Sequence, residues 1–237
     1  MVASPPLRWL DPNDVEAPFP DVEHALKEPD GLLAIGGDLS PARLLRAYRH
    51  GIFPWYSNDQ PILWWSPDPR TVLYPERLKV SRSLRKTLKK KIFTVTTDSV
   101  FRRVIQCCAE PRATGGGTWL TDDMIEAYCR LHIMGYAHSI ETWHQDELVG
   151  GLYGLCLGKV FFGESMFSRR GDASKVAFVH LVEHLQTWGY ELIDCQVASA
   201  HLSTLGAEAI PRRDFITILN RYCDLPSSWK TWAAANG

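Results

Sequence analysis

The chain has 237 residues, 45% of them apolar and 22% charged, with a formal net charge of −1 at pH 7. That is enough apolar material for one or two well-filled domains, and the near-zero total excludes a chain that binds nucleic acid through overall charge alone. No run approaches the ~20 apolar residues of a membrane span, and the cysteines show neither a CxxC pair nor zinc-ligand spacing, which points to the cytoplasm and to no metal site.

Taken in chain order, Leu32 to Ile35 reads as a short apolar strand. Ser40 followed by Pro41 marks a helix start, because a serine hydroxyl caps and proline suits the first helical position. Leu44, Leu45 and Tyr48 give that helix its apolar face, and Gly51 ends it. An aromatic and proline-rich segment follows, and a domain boundary is expected there, dividing residues 1–69 from 70–237. Between Glu76 and Asp98 lie eight basic residues and no acidic one, so the rest of the chain sums to −9. Val80, Leu84, Leu88 and Ile92 recur every fourth residue there, which predicts an amphipathic helix over 77–91 with a cationic outer face.

Thr94-Val-Thr96 is a strand candidate, Asp98 is expected to cap the next helix, and Thr121 the one after it, with Asp122 and Asp123 in its first turn. A three-strand meander is expected over 137–143, 148–156 and 159–164, so that Glu164 falls at the strand's end. Ser165 to Asp172 reads as a turn, and residues 173–188 as a helix stopped by Gly189. A strand over 191–196, a short helix near 199–205 and a last helix over 212–222 complete the chain.

This order resembles the GNAT acyltransferase superfamily, and it implies an α+β protein: a small N-terminal α/β domain followed by a GNAT-like acyltransferase domain. The coenzyme A loop of that superfamily is matched only in part by Ser168-Arg-Arg-Gly171-Asp-Ala173. Six stretches together are more specific. They are Glu28-Pro-Asp-Gly-Leu-Leu-Ala-Ile-Gly-Gly-Asp-Leu-Ser40, Gly51-Ile-Phe-Pro-Trp55, Leu63-Trp-Trp-Ser-Pro-Asp-Pro-Arg70, Gly163-Glu-Ser-Met-Phe-Ser168, Leu192-Ile-Asp-Cys-Gln196 and Ile210-Pro-Arg-Arg-Asp214. In this order they resemble the bacterial leucyl/phenylalanyl-tRNA–protein transferases.

The resemblance implies transfer of Leu or Phe, more weakly Met, from aminoacyl-tRNA to proteins beginning with Arg or Lys, which marks them for N-degron proteolysis. It implies neither coenzyme A nor a metal, and a monomer is expected. It places Glu164, Asp194 and Gln196 at the chemistry. Trp55 and Trp119 are similar to the family's stacking residues for the 3′-terminal adenosine, and Tyr128, Leu152, Phe161, Met166 and Ile193 would line the side-chain slot. Arg82, Arg85, Lys86, Lys89, Lys90 and Lys91 would hold tRNA phosphates by charge.

The residues themselves are compatible with that chemistry. A chain-terminal amine has a pKa of about 7.7–8.0, so roughly a tenth or more is neutral at pH 7. Positioning, worth about 7–11 kcal/mol, should therefore outweigh proton removal. Period-two alternation puts Asp194 and Gln196 on one face of a strand. The resemblance implies that Asp194 polarises Gln196 and that Glu164 orients the substrates, and the sequence is equally compatible with the roles of Glu164 and Asp194 exchanged. An acyl-coenzyme A acyltransferase and a non-catalytic RNA-binding module are the rival classes.

Overall fold

Residues 7–111, 120–226 and Trp232 are described by the computed structural model; the candidate stacking residue Trp119 and the loop 115–117 lie outside them. The chain lays down two sheets in succession. The first is formed by β1 (Arg8–Leu10), β2 (Leu32–Gly36), β3 (Phe53–Pro54) and β4 (Leu63–Trp65), in the order β1-β2-β4-β3, with α1 (Pro41–Arg49) between β2 and β3. As expected, the Ser40 hydroxyl accepts from the Arg43 amide to start α1, and Gly51, at φ +72°, turns the chain beyond it.

The second sheet starts with β5 (Arg70–Leu73). Along the chain come α2 (Arg82–Lys89), β6 (Thr94–Thr97), α3 (Phe101–Ala109) and α4 (Asp122–Ile133), then the meander β7 (Ala137–His144), β8 (Glu147–Leu157) and β9 (Val160–Ser168). After it come α5 (Ala173–Thr187), β10 (Leu192–Gln196), α6 (Ala200–Thr204), β11 (Glu208–Ile210) and α7 (Arg212–Tyr222). The strand order is β11-β5-β10-β9-β8-β7-β6, antiparallel except for the β9–β10 pair, whose parallel pairing requires the α5 crossover.

Side chains alternate across this sheet and feed two apolar clusters. On one face Tyr153, Phe162 and Leu192 pack with Tyr48 of α1, Phe101 of α3, Tyr128 of α4 and Phe215 of α7. On the other, Leu152, Phe161 and Ile193 pack under α5 with Val176, Phe178 and Leu181. Because Tyr48 and Trp64 share the first cluster with Tyr128 and Phe162, the first sheet and the second are joined through one core.

Three local expectations are corrected. The cationic helix spans Arg82–Lys89 rather than 77–91, since Arg77 is drawn off to Glu208 at 2.7 Å and Lys91 turns left-handed at φ +49°, leaving Ile92 42% exposed. Asp98 does not cap α3; its carboxylate accepts from the Ser139 amide and pairs with His138 at 2.7 Å each. Most consequentially, β9 does not end at Glu164 but runs on to Ser168.

Candidate active site

The site is built where β9 and β10 separate. They pair in register only over Val160–Phe162 and Leu192–Asp194. Beyond that, β9 stays with β8 as far as Ser168, while β10 stays with β5, and a gap opens between them. Glu164 sits at the start of the gap as the extra residue of a β-bulge: Gly163 faces Gly154 and Ser165 faces Tyr153, with Glu164 skipped. The bulge re-aims its side chain, and the backbone there tolerates nothing larger than glycine opposite it. A Cβ on Gly154 would lie 2.2 Å from the Phe162 carbonyl oxygen.

Glu164 is half-buried and held on three sides. Tyr48 Oη donates to Oε1 at 2.7 Å, Tyr128 Oη to Oε2 at 2.9 Å, and Gln196 Nε2 to Oε1 at 2.8 Å. Burial nevertheless dominates and pushes the carboxyl up to about 7, with the Asp194 charge adding to it and the three donors opposing. Both tyrosine hydroxyls are themselves pushed well up by burial and by the Glu164 charge, so they stay protonated.

Asp194 has a different surrounding. It is fully buried in a bidentate pair with Arg70, Nε to Oδ1 at 2.8 Å and Nη2 to Oδ2 at 2.7 Å. The Arg70 guanidinium lies between the Phe53 and Phe215 rings and also donates to the Gly51 carbonyl. Asp194 Oδ1 accepts in addition the backbone amide of Gln196, at 2.9 Å, which supports the left-handed φ of +61° at that residue. The register against β5 shifts between Asp194 and Gln196, so strict alternation does not carry from one to the other; the contact between them runs through the Gln196 backbone amide, and the Gln196 side chain is bonded to Glu164. With Nε2 so committed, the Gln196 carbonyl oxygen is the atom left to accept from a substrate.

A cleft of about 710 Å³ passes through the gap and reaches both faces of the sheet. Leu152, Phe161, Met166 and Ile193 line it on the α5 face, together with Phe178 and Leu181. On the opposite face it is bounded by Phe53, Trp55, Cys108, Glu110 and Tyr153. Trp55 is 44% exposed, and Trp65 fixes its backbone by donating from Nε1 to its carbonyl at 2.7 Å. Tyr128 is corrected from a lining residue to a fully buried one that reaches the cleft only through Glu164. The Tyr153 hydroxyl lies at the cleft wall with no hydrogen-bond partner among the described residues.

Arg82, Arg85, Lys86, Lys89, Lys90 and Lys91 are all exposed, and among the described residues none forms an ion pair. Their helix is tied to the start of α5 by a 2.9 Å bond from Thr87 Oγ1 to Asp172 Oδ2. Two site residues escape the sequence reading. Tyr48 gives no signal beyond an apolar helix face. Arg70 gives one: a charge opening the buried run Thr71-Val-Leu73 must have a buried partner.

A cleft that joins an apolar slot, an exposed indole and a near-neutral carboxyl suits an enzyme that moves an acyl group between two bound substrates. Burial raises the thiol of Cys195 in the cleft wall, which argues against a covalent intermediate on it. The family described as leucyl/phenylalanyl-tRNA protein transferase matches residues 72–220, and its N-terminal domain matches 37–68. Proteins named leucyl/phenylalanyl-tRNA–protein transferase are 59% identical in Stutzerimonas stutzeri, over 94% of this chain and 97% of that one. In Chromohalobacter salexigens the identity is 60%, over 97% and 89%. The chain belongs to the leucyl/phenylalanyl-tRNA–protein transferase family, and it is an aminoacyltransferase.

Among solved structures, a GCN5-related N-acetyltransferase from Kribbella flavida is similar with a TM-score of 0.37 and 12% identity, over 71% of this chain and 60% of that one. The structure of L-PGS from Bacillus licheniformis gives 0.41 and 10%, over 63% and 48%. Both scores are low, and the GNAT-like character of the second sheet rests on its own topology: an antiparallel meander, a helical crossover and a parallel strand pair that parts at the site.

Proposed function

We propose that this protein transfers Leu or Phe, and more weakly Met, from aminoacyl-tRNA to the α-amino group of proteins beginning with Arg or Lys. It would act in the cytoplasm as a monomer and mark its products for N-degron proteolysis. The observation that carries the reading is the apolar slot opening directly at the Glu164–Gln196 pair. Leu152, Phe161, Met166 and Ile193 offer a branched or aromatic side chain a dry wall, worth about 1.5–3 kcal/mol on full burial. Trp55 offers the 3′-terminal adenine a face to stack on, and α2 offers unpaired cations to phosphates.

The reaction joins the acceptor nitrogen to the ester carbon and breaks the bond from that carbon to the ribose oxygen. One proton leaves the amine and one arrives on the ribose oxygen. The ester is already activated, so neither coenzyme A nor a metal is called for. The free Gln196 carbonyl oxygen accepts from the attacking amine, and Glu164, titrating near neutrality, handles the proton. Asp194, its oxygens filled by Arg70 and the Gln196 amide, positions Gln196 and takes no proton. The test is transfer of labelled leucine from Leu-tRNA to a peptide beginning with Arg, beside one beginning with Ala. Transfer to the Arg peptide alone is expected, and none to either by folded protein would end the reading.

A further inference from the structure

The oxygens of Glu164, Tyr48 and Tyr128 form a closed figure. Oε1 lies 2.7 Å from the Tyr48 oxygen, that oxygen 2.5 Å from the Tyr128 oxygen, and the latter 2.9 Å from Oε2. Three short oxygen–oxygen links need three protons. The two hydroxyls supply two. If Glu164 is ionised and both tyrosines donate to it, the phenol oxygens face each other across 2.5 Å with only lone pairs between them. Turning one hydroxyl toward the other relieves that contact but leaves its own oxygen against a carboxylate oxygen with no proton between them.

A third proton on the carboxyl closes the count. Glu164 then donates from Oε2 to Tyr128, Tyr128 donates to Tyr48, and Tyr48 donates to Oε1. Oε1, now the carbonyl-type oxygen, takes its second bond from Gln196 Nε2, which fills its acceptor capacity. Both tyrosines are fully buried, so water does not stand in for a missing proton. The surroundings are otherwise short of charge: Tyr153 from β8 is neutral, Cys108 faces the cleft from α3, Glu110 beyond α3 pairs with Arg169, and Asp194 from β10 is neutralised by Arg70 from β5.

We propose that Glu164 rests as the neutral acid in a closed three-bond ring with Tyr48 and Tyr128, which act as positioning residues that hold and route its proton. This rests on reading the cleft as the site of aminoacyl transfer. In that reaction the neutral carboxyl gives its proton to the ribose oxygen as the ester bond breaks, and regains one from the attacking amine, so it ends as it began. Reversing the direction of the ring moves the acid proton from Oε2 to Oε1 without rotating a carboxyl group that three hydrogen bonds pin.

The ring is tested without substrates, by infrared or ¹³C NMR titration of the Glu164 carboxyl, assigned by difference from Glu164→Gln. The expected wild-type signal is that of a protonated carboxyl at pH 6. Removing one tyrosine takes one charge-assisted bond from the ionised form, about twice as strong as a neutral one, and two neutral bonds from the acid. It also relieves the lone-pair contact. Tyr48→Phe and Tyr128→Phe are therefore each expected to leave the midpoint level or lower it, while the double variant raises it. Independent donors would instead raise it by about one unit or more in each single variant, and additively in the double. That pattern, or a wild-type carboxyl already ionised at pH 6, overturns the ring. Either single variant suffices if the other fails to fold. The expected titration pattern in protein that transfers no leucine would fail the functional reading and leave the ring standing.

Discussion

Replacing Asp194 with Asn separates a positioning role from a chemical one. The substitution leaves the Arg70 guanidinium buried between two phenylalanine rings, with an amide NH₂ in place of the oxygen that accepted Nη2. Breaking a buried pair from one side costs about 3–5 kcal/mol, a large share of the ~5–15 kcal/mol that holds a typical protein folded. At about 2–4 °C per kcal/mol for a chain of this size, Tm should fall by roughly 6–20 °C. Urea unfolding followed by tryptophan fluorescence measures the loss, with leucine transfer assayed at a temperature where the variant is folded. The charge-free double variant Arg70→Met with Asp194→Leu should recover much of the stability, because apolar replacement of a buried pair is often neutral. A variant as stable as the wild type but unable to transfer would refute the assignment and make Asp194 a participant in the proton transfer.

Glu164 predicts a pH dependence of stability. Its folded pKa of about 7 lies above the ordinary carboxyl value, so the folded state binds more protons than the unfolded one between roughly pH 4.5 and 7. Its contribution is complete below that window and is lost as pH rises through 7. The stability difference between wild type and Glu164→Gln should therefore shift against the wild type across the window, by at most about 3 kcal/mol; a constant difference in urea titrations would contradict the raised value. Trp55→Ala should raise KM for aminoacyl-tRNA by roughly 5–150-fold, from about 1–3 kcal/mol of stacking, with the peptide KM nearly unchanged. An equal loss for both substrates would count against stacking. Changing Lys86, Lys89 and Lys90 together to Ala should weaken tRNA use and flatten its salt dependence by up to about one log unit per lost phosphate contact; an unaltered slope would take α2 out of the interface.

Much of the fold was legible because its signals are local. Ser40 and Thr121 each accept the amide three residues on, and each begins a helix. What escaped depends on partners far along the chain. The continuation of β9 past Glu164 is enforced by its pairing with Gly150–Tyr153, and a bulge erases the alternation that would have revealed it. Asp98 has the look of a cap but is claimed by His138 and Ser139 some forty residues later. Arg70 and Asp194 stand 124 residues apart, and Tyr48 lies 116 from Glu164, so neither contact leaves a local trace.

The most direct test of the account is single-turnover transfer from Leu-tRNA to an Arg-initiated peptide by wild type, Glu164→Gln and Gln196→Ala, each first shown to be folded. The account predicts that the wild type transfers, and that both variants bind Leu-tRNA nearly as tightly but lose the chemical step by a hundredfold or more, on the order of a general acid–base contribution. Variants that transfer at the wild-type rate would show that the chemistry lies elsewhere than at the opening between β9 and β10.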